Sequence, residues 1–359
     1  MLVRRSARLP GGAPLQREET SLFTYILRRL LVGLLSLVGA SMVAFMLTRI
    51  VPSDPAAMWM GPHATPEQIE RTQVELGLDQ PIPVQYWRYI SGLLRGDWGT
   101  SIVTKHAVLR DLATYLPASI ELIIFGLLIG FSVGVPLGVL SAAKSDSALD
   151  HVARLVSITG VAVPSFWLAM LLQLTLSKGA GLFPLTGRVD LLMEITNPIH
   201  RITGFALLDS LFTGNFAALG NALWHIVLPA VTLAMYPLGL ATRMVRTTML
   251  EVLSEDYIRT ARASGIRESR VLGKYALRNA IGPVLTIMAL TFGYSLVSTF
   301  LIESLFAWPG LGRYAAKAIV SVDYPAIMGV TMLVAVTYIV LNLLVDLALA
   351  ALDPRVRLS

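Results

Sequence analysis

The sequence contains no cysteine, and charged residues fill only 14% of its 359 positions. Without thiols, disulfides, iron–sulfur clusters and cysteine nucleophiles are excluded, although the compartment is left open. The five histidines are scattered without the spacing of metal ligands. No Ser/His/Asp grouping stands out, so the sequence offers no catalytic residue and no metal site. A Gly-x-x-x-x-Gly-Lys-Ser/Thr run is also missing: Gly273-Lys274 is followed by Tyr275, and no glycine precedes it at the required offset. The chain thus lacks the usual phosphate cradle, and no cofactor of its own is expected.

What is present is apolar. Hydrophobic residues make up 55% of the chain, and the mean hydropathy is +0.66, values that point to an integral membrane protein. Six uncharged runs are long enough to cross a bilayer: Leu30 to Thr48, Leu122 to Ala143, Leu155 to Ser177, Ala222 to Thr242, Asn279 to Ile302 and Tyr324 to Val345. An all-α protein with six transmembrane helices is expected. The first run exceeds a signal-peptide core and follows a basic tail, so it is expected to stay as an uncleaved anchor.

With the six runs threaded alternately from an inside N-terminus, 18 Lys and Arg fall on inside segments and 11 outside, whereas nine acids fall inside and 12 outside. The positive-inside rule then puts both termini in the cytoplasm. The formal charge of +6 is explained by the inner face and its anionic lipid headgroups, without nucleic acid.

Between the fourth and fifth runs lies Glu251-Val-Leu-Ser-Glu-Asp-Tyr-Ile-Arg-Thr-Ala-Arg-Ala-Ser-Gly265, continuing to Leu277-Arg-Asn-Ala280. Leu253, Tyr257, Ile258 and Ala261 share one helical face, and Val271, Leu272, Tyr275 and Ala276 share another. The spacing predicts two short amphipathic helices with an elbow at Gly265. Ala261, Ala263 and Gly265 would let a partner's groove come close to the backbone, with Arg259, Arg262, Arg267 and Arg270 as rim charge. This string resembles the EAA coupling loop of permease subunits of binding-protein-dependent ABC importers. Asp256 to Gly265, with Ala276-Leu-Arg-Asn-Ala280 and Pro283, is similar specifically to the dipeptide, oligopeptide and nickel branch.

Other segments carry the same resemblance. Glu303-Ser-Leu-Phe306-Ala-Trp308-Pro309-Gly310-Leu-Gly312-Arg313 reads physically as a tight turn, with Phe306 and Trp308 anchored near the outer interface. It resembles the E-x-x-F-x-W-P-G-L-G signature of peptide-type permeases. Glu303 is expected to accept hydrogen bonds from the turn's amides rather than to face substrate. Residues 51–116 turn polar: Thr65-Pro66-Glu67-Gln68 has the form of a capping box opening a helix that Gly77 ends, and a second helix, Val84 to Leu94, would bury Tyr86, Trp87, Tyr89, Ile90 and Leu93. Asp97 and other acids here either contact a docking protein or only keep the region solvated.

The expected organisation is a mobile cytoplasmic tail over 1–21, a first transmembrane helix over 22–50, an extracytoplasmic helical domain over 51–116, a permease core over 117–350 with its coupling loop at 251–280, and a cytoplasmic C-terminus over 351–359. Two acids lie inside apolar runs, Glu121 and Asp346. Each either pairs with a neighbouring helix or takes part in substrate passage. Pro136, Pro164, Pro229, Pro237 and Pro283 at or within the runs either serve opening and closing or are static kinks.

The resemblance implies a type I ABC importer permease fold, an inner-membrane location in a bacterium or archaeon, and half of a translocation pathway for di- or oligopeptides. It also implies a homologous second permease, two ABC ATPase subunits holding ATP and magnesium, and an extracytoplasmic solute-binding protein. Nickel chelates, glutathione and oligosaccharides are the alternative cargoes. An ion-coupled secondary transporter would instead use Glu121 or Asp346, yet no inverted repeat is evident and such a carrier has no need of a docking elbow.

Overall fold

The computed structural model describes residues 22–50, 55–61 and 63–352. The expected tail over 1–21 and most of the C-terminal segment lie outside them. Among the described residues fifteen α-helices follow in order: α1 (Leu22–Ile50), α2 (Pro55–Met60), α3 (Pro66–Glu75), α4 (Ile82–Leu94), α5 (Val108–Ala143), α6 (Ala148–Ala162), α7 (Ser165–Leu172), α8 (Leu191–Thr196), α9 (Ala206–Phe212), α10 (Phe216–Leu253), α11 (Asp256–Ala263), α12 (Glu268–Arg270), α13 (Arg278–Leu305), α14 (Leu311–Val320) and α15 (Tyr324–Leu352). Wider π-helical turns extend α7 through Gln173–Gly179 and join α12 to α13 through Val271–Leu277. Among the described residues no β-sheet forms; one isolated bridge joins Thr100 and Ala107.

Among the described residues five helices are long and apolar enough to cross a membrane, and the bent pair α6–α7 makes a sixth if it counts as one span. The third span, expected over Leu155 to Ser177 with Pro164 as a kink within it, is instead a sharply bent helix pair that begins earlier, at Ala148. Pro164 cannot donate an amide and disfavours helix at Val163, which is extended (ψ 124°), and the two halves meet at 106°. The packing of α5 on α10 decides whether this bent pair crosses.

Gly126, Gly130, Gly134 and Gly138 recur every fourth residue along one face of α5. A Cβ on each would meet, in turn, Leu233, Pro237, the Leu238 carbonyl and Val245 of α10 within 3 Å. Residue numbers rise together on both helices, so they run parallel. The chain must therefore cross once between the end of α5 and the start of α10, and α6–α7 is that crossing. Side chains as small as hydrogen let the backbones touch, which drives helix association where no hydrophobic effect separates helix from lipid. A second close crossing sets Gly160 of α6 against Met235 and Gly239 of α10, with the Ser157 hydroxyl donating to the Gly239 carbonyl at 2.7 Å.

Six passes result, with α11 and α12 at one end, the elbow end, and the Glu303–Arg313 turn at the other. Helix α5 starts at Val108, more than three turns before the apolar run it contains. Outside the bundle, Thr65 caps α3 through a capping box with Gln68. Helix α4 lays Tyr86 and Tyr89 against Phe45 of α1, with ring centroids 5.4 and 6.2 Å apart, but leaves Trp87 exposed. None of the residues of α4 is buried.

Candidate functional site

The elbow is built by a helix stop. Gly265 takes φ +74°, its amide donates to the Arg262 carbonyl, and the Ile266 amide reaches back to the Ala261 carbonyl. These two bonds form a Schellman motif, which ends α11 and reverses the chain. A Cβ at Gly265 would meet nothing within 4 Å, so the glycine answers a backbone requirement and not a local space limit.

The apolar faces of the elbow are spent inside this chain. Ile258, Ala261, Val271 and Ala276 are buried in one cluster with Val245 and Met249 of α10 and Ala280 and Val284 of α13. The expected role of Ala261, to admit a partner's groove, is corrected on this point: its small side chain seats α11 on the bundle. Ala263 and Gly265 remain outward. Tyr257 is partly exposed, and its hydroxyl accepts from Asn279 Nδ2 at 2.8 Å. Arg262 pairs with Glu268 across the elbow at 2.8 Å, and Arg259 with Asp256 at 3.3 Å. The Glu268 hydrogen bond and charge raise the Arg262 pKa further against a smaller desolvation effect. What the elbow presents outward is therefore backbone, the paired Arg259 and Arg262, and the exposed Arg267 and Arg270, on a base packed into the bundle.

At the opposite end, Glu303 is fully buried. Its Oε2 accepts from the amides of Gly312 at 2.7 Å and Arg313 at 3.1 Å, and its Oε1 from the Ser119 hydroxyl at 2.6 Å. Ser119 Oγ in turn accepts the Leu311 amide at 2.7 Å. Gly310 and Gly312 leave room for this carboxylate: a Cβ on either would come within 3.0 Å of Oε2. Phe306 and Trp308 sit at 2% and 1% exposure in the core, and Trp308 Nε1 donates to the Ala118 carbonyl at 2.9 Å. Both had been expected at the lipid interface. The turn instead folds inward, because residue 307 adopts φ +49° and carries Trp308 beneath α5.

Glu121 faces the same region. Its carboxylate is buried and takes Arg188 Nε at 3.0 Å and the Leu207 amide at 2.9 Å, while Arg188 also donates to the Gly204 carbonyl at 3.1 Å and lies 5.8 Å from the Trp308 ring. Of the two readings left open for Glu121, the geometry is that of pairing. The Asp346 side chain lies outside the described residues.

Sequence reasoning passed over two charged groups. Asp150, fully buried at the start of α6, accepts Arg246 Nε and Nη2 of α10 at 2.7 and 2.9 Å, with the Ser141 hydroxyl and the Asp146 amide also donating. Arg188 is one of the 11 Lys and Arg on the outside segments, with nothing in its sequence neighbourhood to single it out. Partners 67 and 96 residues apart leave no local pattern, although Asp150 three residues after Ser147 was a visible cap. Among the described residues no group of three or more His, Asp or Glu is placed to hold a metal ion.

Residues 134–358 match the family described as binding-protein-dependent transport system inner membrane component, and residues 22–122 match the N-terminal region of such components. Over 335 residues the chain is 42% identical to the probable D,D-dipeptide transport system permease protein DdpB of Escherichia coli K12, covering 93% of this chain and 98% of that one. It is 39% identical to the dipeptide transport system permease protein DppB of the same strain, over 93% of this chain and 98% of the relative. To DppB of Alkalihalophilus pseudofirmus the identity is 37%, over 94% and 100%.

Proposed function

This chain belongs to the family of binding-protein-dependent transport system inner membrane components, and on that premise we propose that it forms half of the membrane pathway of an ATP-driven importer of di- or oligopeptides. It is a multi-pass inner-membrane transport subunit and not an enzyme. The relatives' printed names, dipeptide and D,D-dipeptide transport permeases, support the cargo. The elbow carries the mechanism: α11 is clamped between α10 and α13 by a shared apolar cluster, so a push on Tyr257, Arg259, Arg262, Ala263 or Gly265 reaches both spans at once.

In this reading two ATPase subunits hold ATP and magnesium and dock on the elbow in the cytoplasm, where both termini also lie. A homologous second permease completes the pathway, and a solute-binding protein delivers cargo at the turn end. Closure of the ATPases moves α11, α10 and α13 tilt with it, and hydrolysis returns them. Residues 51–116 and the acids of α3 lie on the delivery side. Glu303, Phe306, Trp308, Pro309, Gly310 and Gly312 act as structure, holding α13 and α14 against α5, and Glu121 acts likewise through Arg188.

Uptake of a labelled dipeptide by cells expressing the whole system tests the reading. Inhibition by vanadate with resistance to a protonophore is expected, and the reverse would indicate an ion-coupled carrier. A cysteine at Asp79 should react with an impermeant maleimide on intact cells, and one at Ser269 should not.

A further inference from the structure

At the elbow end, α6 and α10 diverge below their glycine crossing and leave a cleft of about 530 Å³. Its lining is divided by chemistry. Ile158, Val161 and Ala162 form the wall toward the middle of the bundle, Ser157 and Thr242 lie between, and Arg154, Arg243 and Arg246 stand at the mouth. Ile158 and Val161 are exposed at 66% and 44%, surface that water disfavours but hydrocarbon accepts. The arginines sit where the apolar run of α10 ends, at Thr242, which is the depth of lipid headgroups.

The charges at the mouth do not cancel. Arg246 and Arg154 share the carboxylate of Asp150, at 2.7 and 3.3 Å, and Arg154 also approaches the solvent-exposed Asp146 at 3.7 Å. Arg243 is exposed, and among the described residues its guanidinium has no hydrogen-bond or ion-pair partner. Three cations thus meet two anions, and the uncompensated one faces the cleft. A guanidinium at this depth favours a phosphate, which it can bind through two parallel hydrogen bonds.

We propose that this cleft holds one anionic phospholipid, its phosphate on Arg243 with Arg154 and Arg246 close by, and an acyl chain along Ile158 and Val161. Charge complementarity and the apolar wall together select a lipid over a free anion, and a net negative headgroup over a zwitterionic one. Because Arg246 also holds Asp150, an occupied cleft braces α6 against α10 immediately before α10 enters the elbow.

Native mass spectrometry of the purified transporter tests this through retained lipid, independently of transport. The wild type should keep phosphatidylglycerol in preference to phosphatidylcholine. Arg243→Gln should weaken phosphatidylglycerol retention about five- to tenfold, Arg243→Lys should restore most of it, and Arg267→Gln on the elbow surface should leave it unchanged. Ile158→Trp, which fills the apolar wall without altering charge, should also reduce it. Equal retention in wild type and Arg243→Gln overturns the proposal. So does displacement of phosphatidylglycerol by inorganic phosphate, which would mark a site for free anions, or by dialanine, which would mark a stretch of the substrate pathway. Arg243 has no protein partner to lose, so after delipidation Arg243→Gln should melt as the delipidated wild type does, and added phosphatidylglycerol should raise the melting temperature of the wild type more than that of the variant; a lower melting temperature of the delipidated variant would contradict the unpaired state.

Discussion

Ser119 and Glu303, 184 residues apart, exchange a buried hydrogen bond of 2.6 Å, and the same serine oxygen accepts the amide of Leu311. Helix α5, three turns in from its start, the end of α13 and the start of α14 are tied by these two side chains. Three donors converge on the carboxylate: the Ser119 hydroxyl and the amides of Gly312 and Arg313.

Glu303→Ala would orphan all three at about 1–3 kcal/mol each. Thermal unfolding of the purified complex should fall by several degrees, with uptake falling in proportion. Glu303→Gln keeps an acceptor for the two amides and should retain most uptake. Loss of uptake of charged cargo alone in Glu303→Gln, with an intact complex, would make the residue a pathway group.

Removing Arg188 leaves Glu121 buried and uncompensated. Arg188→Met should therefore destabilise by about 3–5 kcal/mol, whereas the double variant Glu121→Gln with Arg188→Met should recover much of that loss. Melting curves of the four proteins give the coupling energy directly; additive losses would disprove the pairing.

The seam between α5 and α10 predicts a sharp contrast between glycines. Gly134→Val should abolish stable insertion, since even a Cβ would lie 2.8 Å from the Leu238 carbonyl. Gly220→Ala, in open space at the start of α10, should be neutral or raise stability by a few tenths of a kcal/mol. Membrane-fraction yield and size-exclusion profiles distinguish the two.

At the elbow, Gly265→Ala should cost about 1 kcal/mol through its left-handed φ. Gly265→Asn, which tolerates that region, should cost less. Gly265→Asp adds a charge on the outward surface, so stimulated ATPase activity should fall while the subunit still inserts. Normal stimulation in Gly265→Asp would remove the elbow from the coupling path.

Acid should loosen the loop over residues 202–209. The Asp209 carboxylate is pushed up by burial, but the Thr203 hydroxyl and the amides of Thr203, Gly204 and Ile202 outweigh this, so its folded pKa is depressed. The stability it supplies is present above the unfolded carboxylate pKa and is lost as pH falls through the lower folded value. Hydrogen exchange at residues 202–209, corrected for intrinsic rates, should accelerate with acidification in wild type. In Asp209→Asn it should be fast and flat.

Much of this was written in short-range pattern. The Thr65 capping box, the amphipathic faces around Gly265 and the apolar runs each rest on residues within a few positions of one another, where periodicity and caps act. The four glycines of α5 were also readable, at an interval of four, but become informative only when a facing helix is known. Pro164 marked a kink beside Val163, but its size was hidden because apolar residues continue through it; length and hydropathy are blind to direction. The pairs Glu121–Arg188 and Asp150–Arg246 were beyond reach, since each is made by chain reversal and leaves no mark on the residues between.

The backbone contact along α5 and α10 fixes where the molecule is able to bend. Two parallel helices packed glycine against a facing residue at four successive levels, three of them against backbone carbonyls, cannot slide or splay without losing all four contacts, so they move as one beam. That beam is long: the 38 residues of α10 extend ~57 Å, from Phe216 at one end to the elbow at the other. A small swing of α11 therefore becomes a larger displacement at the far end, and the compliance it needs is concentrated at the extended Val163-Pro164 joint, where the third pass is already cut in two.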